Sequence, residues 1–160
     1  MQAILDNAEQ NGVDFIVIDT PPGAHLATSA AAKVASWAII PCRPQVYDFE
    51  SIPLTLEILN LTNTLVVINS VPIRRSRYQQ AVKAIKNFNV LICPHTVGYR
   101  LSFGDAAMRG QTVHEYQPKG KARKEIGAIY QHLIKLMGSV DNRRKYLHMI
   151  HKAQHMDTTL

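Results

Sequence analysis

Asp19 is the residue of this chain most clearly placed to do chemistry. It closes the stretch Asp14-Phe15-Ile16-Val17-Ile18-Asp19 and opens Thr20-Pro21-Pro22-Gly23. Phe15 to Ile18 is a short apolar run rich in β-branched residues, which suits a strand covered on both faces of a parallel sheet. Thr20 to Gly23 can neither continue a strand nor start a helix before the glycine, so it reads as a loop. The Ala-rich segment beyond it reads as a helix. In open α/β sheets ligands bind at the carboxyl ends of the strands. A carboxylate there, followed by a glycine loop, suits Mg²⁺ and a phosphate. An aspartate that merely caps the loop or the next helix is the competing reading.

The elements that would hold this carboxylate alternate along the chain. Met1 to Gln10 is a short amphipathic helix ended by Asn11-Gly12. Leu26 to Ala35 is a small-residue helix, and Trp37 to Ile40 a second buried strand stopped by Pro41-Cys42-Arg43-Pro44. Val46 to Asn60 is helical, with Asp48 and Ser51 as candidate caps and Pro53 in the first turn of a late-starting helix. Thr64 to Asn69 and Val90 to Cys93 read as strands, and Arg77 to Asn87 as a basic helix. Ser102 to Arg109 is a short helix ended by Gly110, and Lys121 to Met137 a long amphipathic one. Asp141 to His155 reads as one more basic helix. Strands alternating with helices predict an α/β fold with a three-layer, doubly wound parallel sheet. The division expected is a main domain over 1–138 and a basic C-terminal helix or tail over 139–160.

Composition narrows the class. The chain has 160 residues, 46% hydrophobic, and a net charge of +6 that is clustered, which favours a polyanionic partner. No apolar run approaches the roughly 20 residues of a membrane span, and the N-terminus lacks the features of a signal peptide. Cys42 and Cys93 show no metal spacing and read as reduced thiols.

Four stretches together resemble the ParA/MinD group of deviant Walker-type ATPases, most closely the ParA-type plasmid and chromosome partition proteins. They are Asp14 to Gly23, similar to a Walker B strand and switch loop; Ala38 to Pro44 with Asp48; Val66-Val67-Ile68-Asn69-Ser70-Val71-Pro72; and Gly110 to Ile126. The resemblance covers roughly Met1 to Met137 and rests on order and spacing rather than any one motif. It implies that Asp19 holds Mg²⁺ through water, and that Thr20, Pro21 and Gly23 sense the γ-phosphate of ATP. It also implies that Asn69 contacts the adenine, with Pro94 and His95 at the base pocket. A carboxamide can donate and accept on one base edge. The plainer readings stay open: Gly23 as a turn glycine, Asn69 as a strand-ending turn residue, His95 as an ordinary loop residue.

The chain also departs from that family. No G-x-x-x-x-G-K-[ST] occurs, and Gly120-Lys121 is followed by alanine. The phosphate-cradling loop, its lysines and the Mg²⁺-binding hydroxyl are therefore absent, so no catalytic residue is expected in this chain alone and hydrolysis of ATP by it is not expected. The expectation is the C-terminal two-thirds of such an ATPase, with the N-terminal strand and P-loop missing. In the family the Asp19 strand lies inside the sheet beside the P-loop strand. Its loss predicts a bare edge of unpaired N–H and C=O groups, and a chain that is marginally stable or pairs edges with another copy.

Three basic clusters complete the reading. Arg74, Arg75, Arg77, Lys83 and Lys86 occur with no acid from Val71 to Asn87. Lys119, Lys121, Arg123 and Lys124 open the long helix, where cations oppose the helix dipole. Arg143, Arg144 and Lys145 form the third. The resemblance implies non-specific DNA binding near Arg100, Lys121 and Arg123, self-association as a dimer, a ParB-type centromere-binding adaptor, and a bacterial, nucleoid-associated cytoplasmic setting. Phosphate contacts of this kind are salt-dependent and carry no base readout. Solvated helix faces are the alternative reading of these clusters. Two functions are carried forward: a partition ATPase that acts in a longer form or with its missing half supplied, and a non-catalytic basic DNA-binding module. An iron–sulfur carrier or amidating ligase of the same superfamily is set aside, because the cysteines lack a paired motif.

Overall fold

The computed structural model describes residues 2–21, 26–60, 63–72, 76–139 and 146–150, the last five as backbone. In chain order these form α1 (Gln2–Gln10), β1 (Ile16–Thr20), α2 (Leu26–Ala32), β2 (Trp37–Cys42), α3 (Val46–Leu59), β3 (Thr64–Ile68), α4 (Ser76–Lys86), β4 (Leu91–Ile92), α5 (Leu101–Met108), α6 (Val113–Tyr116), α7 (Lys121–Ser139) and β5 (Tyr146–Ile150). The fold is α/β. All strand pairs are parallel, in the order β1-β5-β2-β3-β4.

The centre follows from composition. Every residue of β3, Thr-Leu-Val-Val-Ile, is buried. Branched side chains alternate to two faces there, and both faces are covered. On one, Ala32 of α2, Ile52 and Leu59 of α3, and Ala81 and Ile85 of α4 pack on Ala38, Ile40, Val66 and Ile68. On the other, Leu133 of α7 packs with Trp37, Ile39, Leu65, Val67 and Cys93. Three layers are thus realised over β2 and β3.

Thr64 is the polar exception in this core. Its hydroxyl is buried without a hydrogen-bond partner among the described residues. Removing an unsatisfied buried hydroxyl while keeping the branched shape is neutral or stabilising. Thr64→Val is therefore expected to raise the urea midpoint, by up to about 1 kcal/mol of stability; a clear loss of stability would show that the hydroxyl has a partner.

Several local expectations need correction. Val46 to Leu59 is one continuous helix with Pro53 in its interior, so the helix does not start late. Gln45 is its N-cap residue, without a side-chain cap bond. The proposed caps do other work: Asp48 Oδ2 accepts the Arg43 N–H at 2.9 Å, and Ser51 Oγ donates to the Asp48 carbonyl at 3.0 Å. Asp48 thereby ties the loop after β2 back to α3. The strand β1 is covered less than its apolar run suggested. Ile16 and Ile18 are half-buried, but Val17 is 56% exposed and Phe15 42%. The reason is position: β1 lies at the sheet edge, and the helix covering the centre on that face, α7, packs on β2 and β3.

The largest correction concerns the chain's last described segment. A helix was expected over 141–155, yet Tyr146–Ile150 is a strand. It lies between β1 and β2, pairing with both. One side of the Asp19 strand is therefore paired, while its other side is the sheet edge, with no strand partner among the described residues. Tertiary pairing overrides weak local preference here, because an open ladder offers backbone partners on two sides. The remainder of 141–155, with Arg143, Arg144 and Lys145, lies outside the described residues.

Candidate functional site

Because every strand runs the same way, their carboxyl ends share one rim. β2 brings Cys42 there and the chain leaving β3 brings Asn69, while β1 ends lower, its Asp19 level with Ile39 and Leu65. Asp19 is exposed, one residue from the end of its strand, with Thr20 buried beside it and Pro21 exposed. The sequence reading closes the strand at Asp19 and puts Thr20 in the loop; the strand runs one residue further, and Asp19 lies at that lower level. Gly23 lies outside the described residues. No group of three or more His, Cys, Asp or Glu able to hold a metal occurs among the described residues. Asp19 thus offers one carboxylate, which fits Mg²⁺ only in its usual mode of water and phosphate oxygens with one or two carboxylates.

Asn69 is half-buried and its groups are partly committed. Its backbone N–H donates to the Cys42 carbonyl at 2.8 Å, and its Oδ1 accepts the N–H of Ser70 at 2.8 Å. Ser70 sits at φ 52°, in the left-handed region. This is the local turn bond that Asn favours, so the turn reading is realised. Its Nδ2 has no hydrogen-bond partner among the described residues. Three strand spacings, about 14 Å, separate β1 from β3. In register Asp19 is level with Leu65, four residues before Asn69. That offset is about 13 Å along the strands, so the two residues form no cluster and a ligand touching both would be extended.

Pro94 and His95 are exposed after β4. The His95 ring packs edge-on against His132 of α7, with centroids 6.0 Å apart. Cys93, just before them, is fully buried, and burial pushes its thiol above the usual range. It is held protonated and packs as a core residue.

The basic residues separate into three groups. Arg74 and Arg75 lie outside the described residues, and Arg77 is described only as a backbone position in α4. Arg100 is committed. Its Nε donates to Glu125 Oε2 at 2.9 Å and its Nη2 to Glu125 Oε1, while the Gly98 N–H donates to Oε2 at 3.2 Å. A bidentate pair of this kind locks the loop after β4 onto α7. Sequence reading missed Glu125, which is 25 residues away from its partner. Lys119, Lys121, Arg123 and Lys124 are exposed. Side chains in a first helical turn lean toward the N-terminus, so those on α7 project beyond its start.

The start of α7 is shaped by Gly120. A Cβ there would lie 2.9 Å from Gln117 Cβ and 3.0 Å from its carbonyl oxygen, so only glycine lets the chain enter the helix so closely. The short α6 before it was also missed. Its signature, Thr112-Val113-His114-Glu115, is a capping box: the Glu115 N–H donates to Thr112 Oγ1, and the Thr112 N–H donates to Glu115 Oε2. Arg109 then stacks over Tyr116 at 5.2 Å.

Hydrogen bonding to Arg100 holds the Glu125 carboxyl below its ordinary range and the Arg100 guanidinium above its own. A depressed carboxylate contributes stability that is present above its unfolded pKa and is lost as pH falls through the folded one. Glu125→Gln is therefore expected to lower stability at pH 7 by about 1 kcal/mol for this partly exposed pair. The gap from the wild type should close as urea melts are moved below about pH 4. A gap that stays constant down to pH 3 would contradict the assignment.

Comparison with known proteins finds no family model and no curated protein that matches this chain. No helix among the described residues is long and apolar enough to cross a membrane.

Proposed function

We propose that this chain is the Walker B, switch and DNA-contacting portion of a ParA-like partition ATPase, which segregates DNA through nucleotide-controlled, non-specific DNA binding. The observation that carries the reading is Asp19, exposed at the carboxyl end of a parallel strand and followed by a Thr-Pro-Pro-Gly loop. In this reading Asp19 holds Mg²⁺ through water, Thr20, Pro21 and Gly23 respond to the γ-phosphate, and Asn69 offers its Nδ2 donor to the adenine with Pro94 alongside. Lys121 and Arg123 contact DNA phosphates together with Arg74, Arg75 and Arg77. Arg100 acts through Glu125, fixing the loop on α7. The partners are non-specific DNA, a ParB-type adaptor and a second protomer, in a nucleoid-associated bacterial setting.

ATP hydrolysis needs a Gly-rich lysine loop that these 160 residues do not carry. Without it the second reading, a non-catalytic basic DNA-binding module, has a specific observation in its favour. Two measurements separate the readings. Intact mass and upstream sequence of the native protein reveal whether a lysine loop precedes or accompanies the chain. DNA binding with and without Mg²⁺-ATP reveals whether nucleotide controls it. A native protein of 17.9 kDa that binds DNA alike in both conditions, with no lysine-loop partner, sinks the ATPase reading and leaves the module. Absence of DNA binding at 50 mM salt would sink both.

A further inference from the structure

The amino ends of β3 and β4 frame an open cavity of about 480 Å³. Leu56 and Asn60 reach it from the end of α3, and Lys86 and Asn89 from the end of α4. Thr64, Val90 and Leu91 come from the strand starts. Small-molecule sites run from about 300 to 1,000 Å³, so the volume suits one. Thr64 opens β3 and Asn69 follows its end, which puts the cavity about 16 Å along the strand from the carboxyl rim. It is a second location on the sheet, separate from Asp19 and Asn69.

The lining divides by chemistry. Leu56 and Val90 are half-buried and Leu91 is 50% exposed, which supplies an apolar wall. Two helices end here, and a helix end ordinarily presents free carbonyl oxygens that favour cations. In this chain those oxygens are largely used. The carbonyls of Ala84, Ile85 and Lys86 accept the N–H groups of Asn87, Phe88 and Asn89 at 3.4, 3.0 and 3.4 Å, and the Leu56 carbonyl accepts that of Asn60 at 3.0 Å. Asn60 and Asn89 take left-handed φ of 40° and 51° in making these turns. The polar groups left over are donors: the Lys86 ammonium and the two carboxamide Nδ2 groups, with no acid in the lining. Thr64 is the buried residue of the lining, 3% exposed, and its hydroxyl has no partner among the described residues. A core position that carries such a cost needs an explanation, and a polar ligand site beside it is one.

We infer that this cavity binds a small monoanion with an apolar body, a carboxylic acid on an aromatic or short aliphatic frame. Leu56, Val90 and Leu91 take the body. Lys86 pairs with the carboxylate, and Asn60 and Asn89 donate to it. One cation balances one negative charge, whereas a nucleotide's phosphates would stay largely unpaired here. Lys86 is exposed, so its pairing adds selectivity more than strength. A ligand of about eleven non-hydrogen atoms should bind with a dissociation constant on the order of 1 mM. The site is independent of nucleotide and DNA binding at the other end of the sheet.

Phenylpropionate, phenylpropanol and phenylpropylamine share one body and differ in charge, so they test the site as probes. Each is titrated into the nitrogen-labelled 160-residue chain and followed by the backbone amide spectrum. Phenylpropionate should shift the signals of Asn60, Thr64, Asn89 and Leu91 to saturation, severalfold more tightly than the alcohol, with the amine weakest. Lys86→Glu should weaken phenylpropionate roughly tenfold and make the amine the strongest of the three. An unchanged spectrum with the acid, shifts scattered away from these residues, or equal binding of acid and amine overturns the site. Persistence of the acid's advantage in a folded Lys86→Glu variant overturns the anion assignment. Should that variant lose the wild-type spectrum, Lys86→Gln serves in its place, and there the acid should bind no better than the alcohol.

Discussion

If the proposed DNA-binding reading holds, replacing Lys121 and Arg123 together with glutamate is expected to lower affinity for duplex DNA by roughly 60-fold at 0.1 M salt. The figure follows from counterion release: each phosphate neutralised contributes about 0.9 to the slope of log K against log salt, so two contacts are worth about 1.8 decades at that concentration. Repulsion by the new carboxylates adds to the loss. The slope itself should shallow by about 1.8, and the effect should be the same for two unrelated sequences, because phosphate contacts carry no base readout. Both side chains are exposed on the first turn of α7, where substitution disturbs little packing. Fluorescence anisotropy over a salt series measures affinity and slope together. An unchanged slope would remove α7 from the interface. Arg100→Lys provides a contrast. Arg100 is occupied by Glu125, so losing its fork should reduce stability more than DNA affinity.

Leu65→Ala should be the most destabilising of these changes, at about 2–5 kcal/mol. Leu65 is fully buried between Trp37, Ile39, Val67, Cys93 and Leu133, with the sheet on either side and α7 above. That cavity has rigid walls, and relaxation can recover only part of the lost contact. Domains are held by about 5–15 kcal/mol in total, so the variant approaches the threshold for folding. Val17→Ala removes a β-branched side chain from an equally apolar strand, yet it should cost about 0.5 kcal/mol or less, because Val17 is 56% exposed. Urea midpoints of the two variants compare core and edge directly. Equal losses would mean that β1 is covered on both faces after all.

This contrast also explains which parts of the fold were legible in the residues. Thr64 to Asn69 and Trp37 to Ile40 read as strands because their apolar runs are continuous, and the strands found there, Thr64–Ile68 and Trp37–Cys42, are buried on two sides. The long helix beginning at Lys121 was legible from its apolar stripe, and Gly110 ends α5 at φ 65° as a glycine should. Phe15 to Ile18 carries the same apolar signal as the central strands. Local pattern cannot distinguish an edge from a centre, since coverage depends on which helices arrive from elsewhere. Tyr146 to Ile150 was misread because His148 interrupts the apolar run and a basic stretch precedes it.

The candidate site divides along the same line. Asp19 at a strand end and the basic start of α7 are local properties, set by apolar runs, prolines and charge spacing within a few residues. The turn bond from Ser70 to Asn69 Oδ1 is local as well; the Arg100–Glu125 clamp and the insertion of β5 between β1 and β2 are decided by assembly. Their partners are fixed by packing and ladder geometry, and the energy that selects them exists only when distant segments meet.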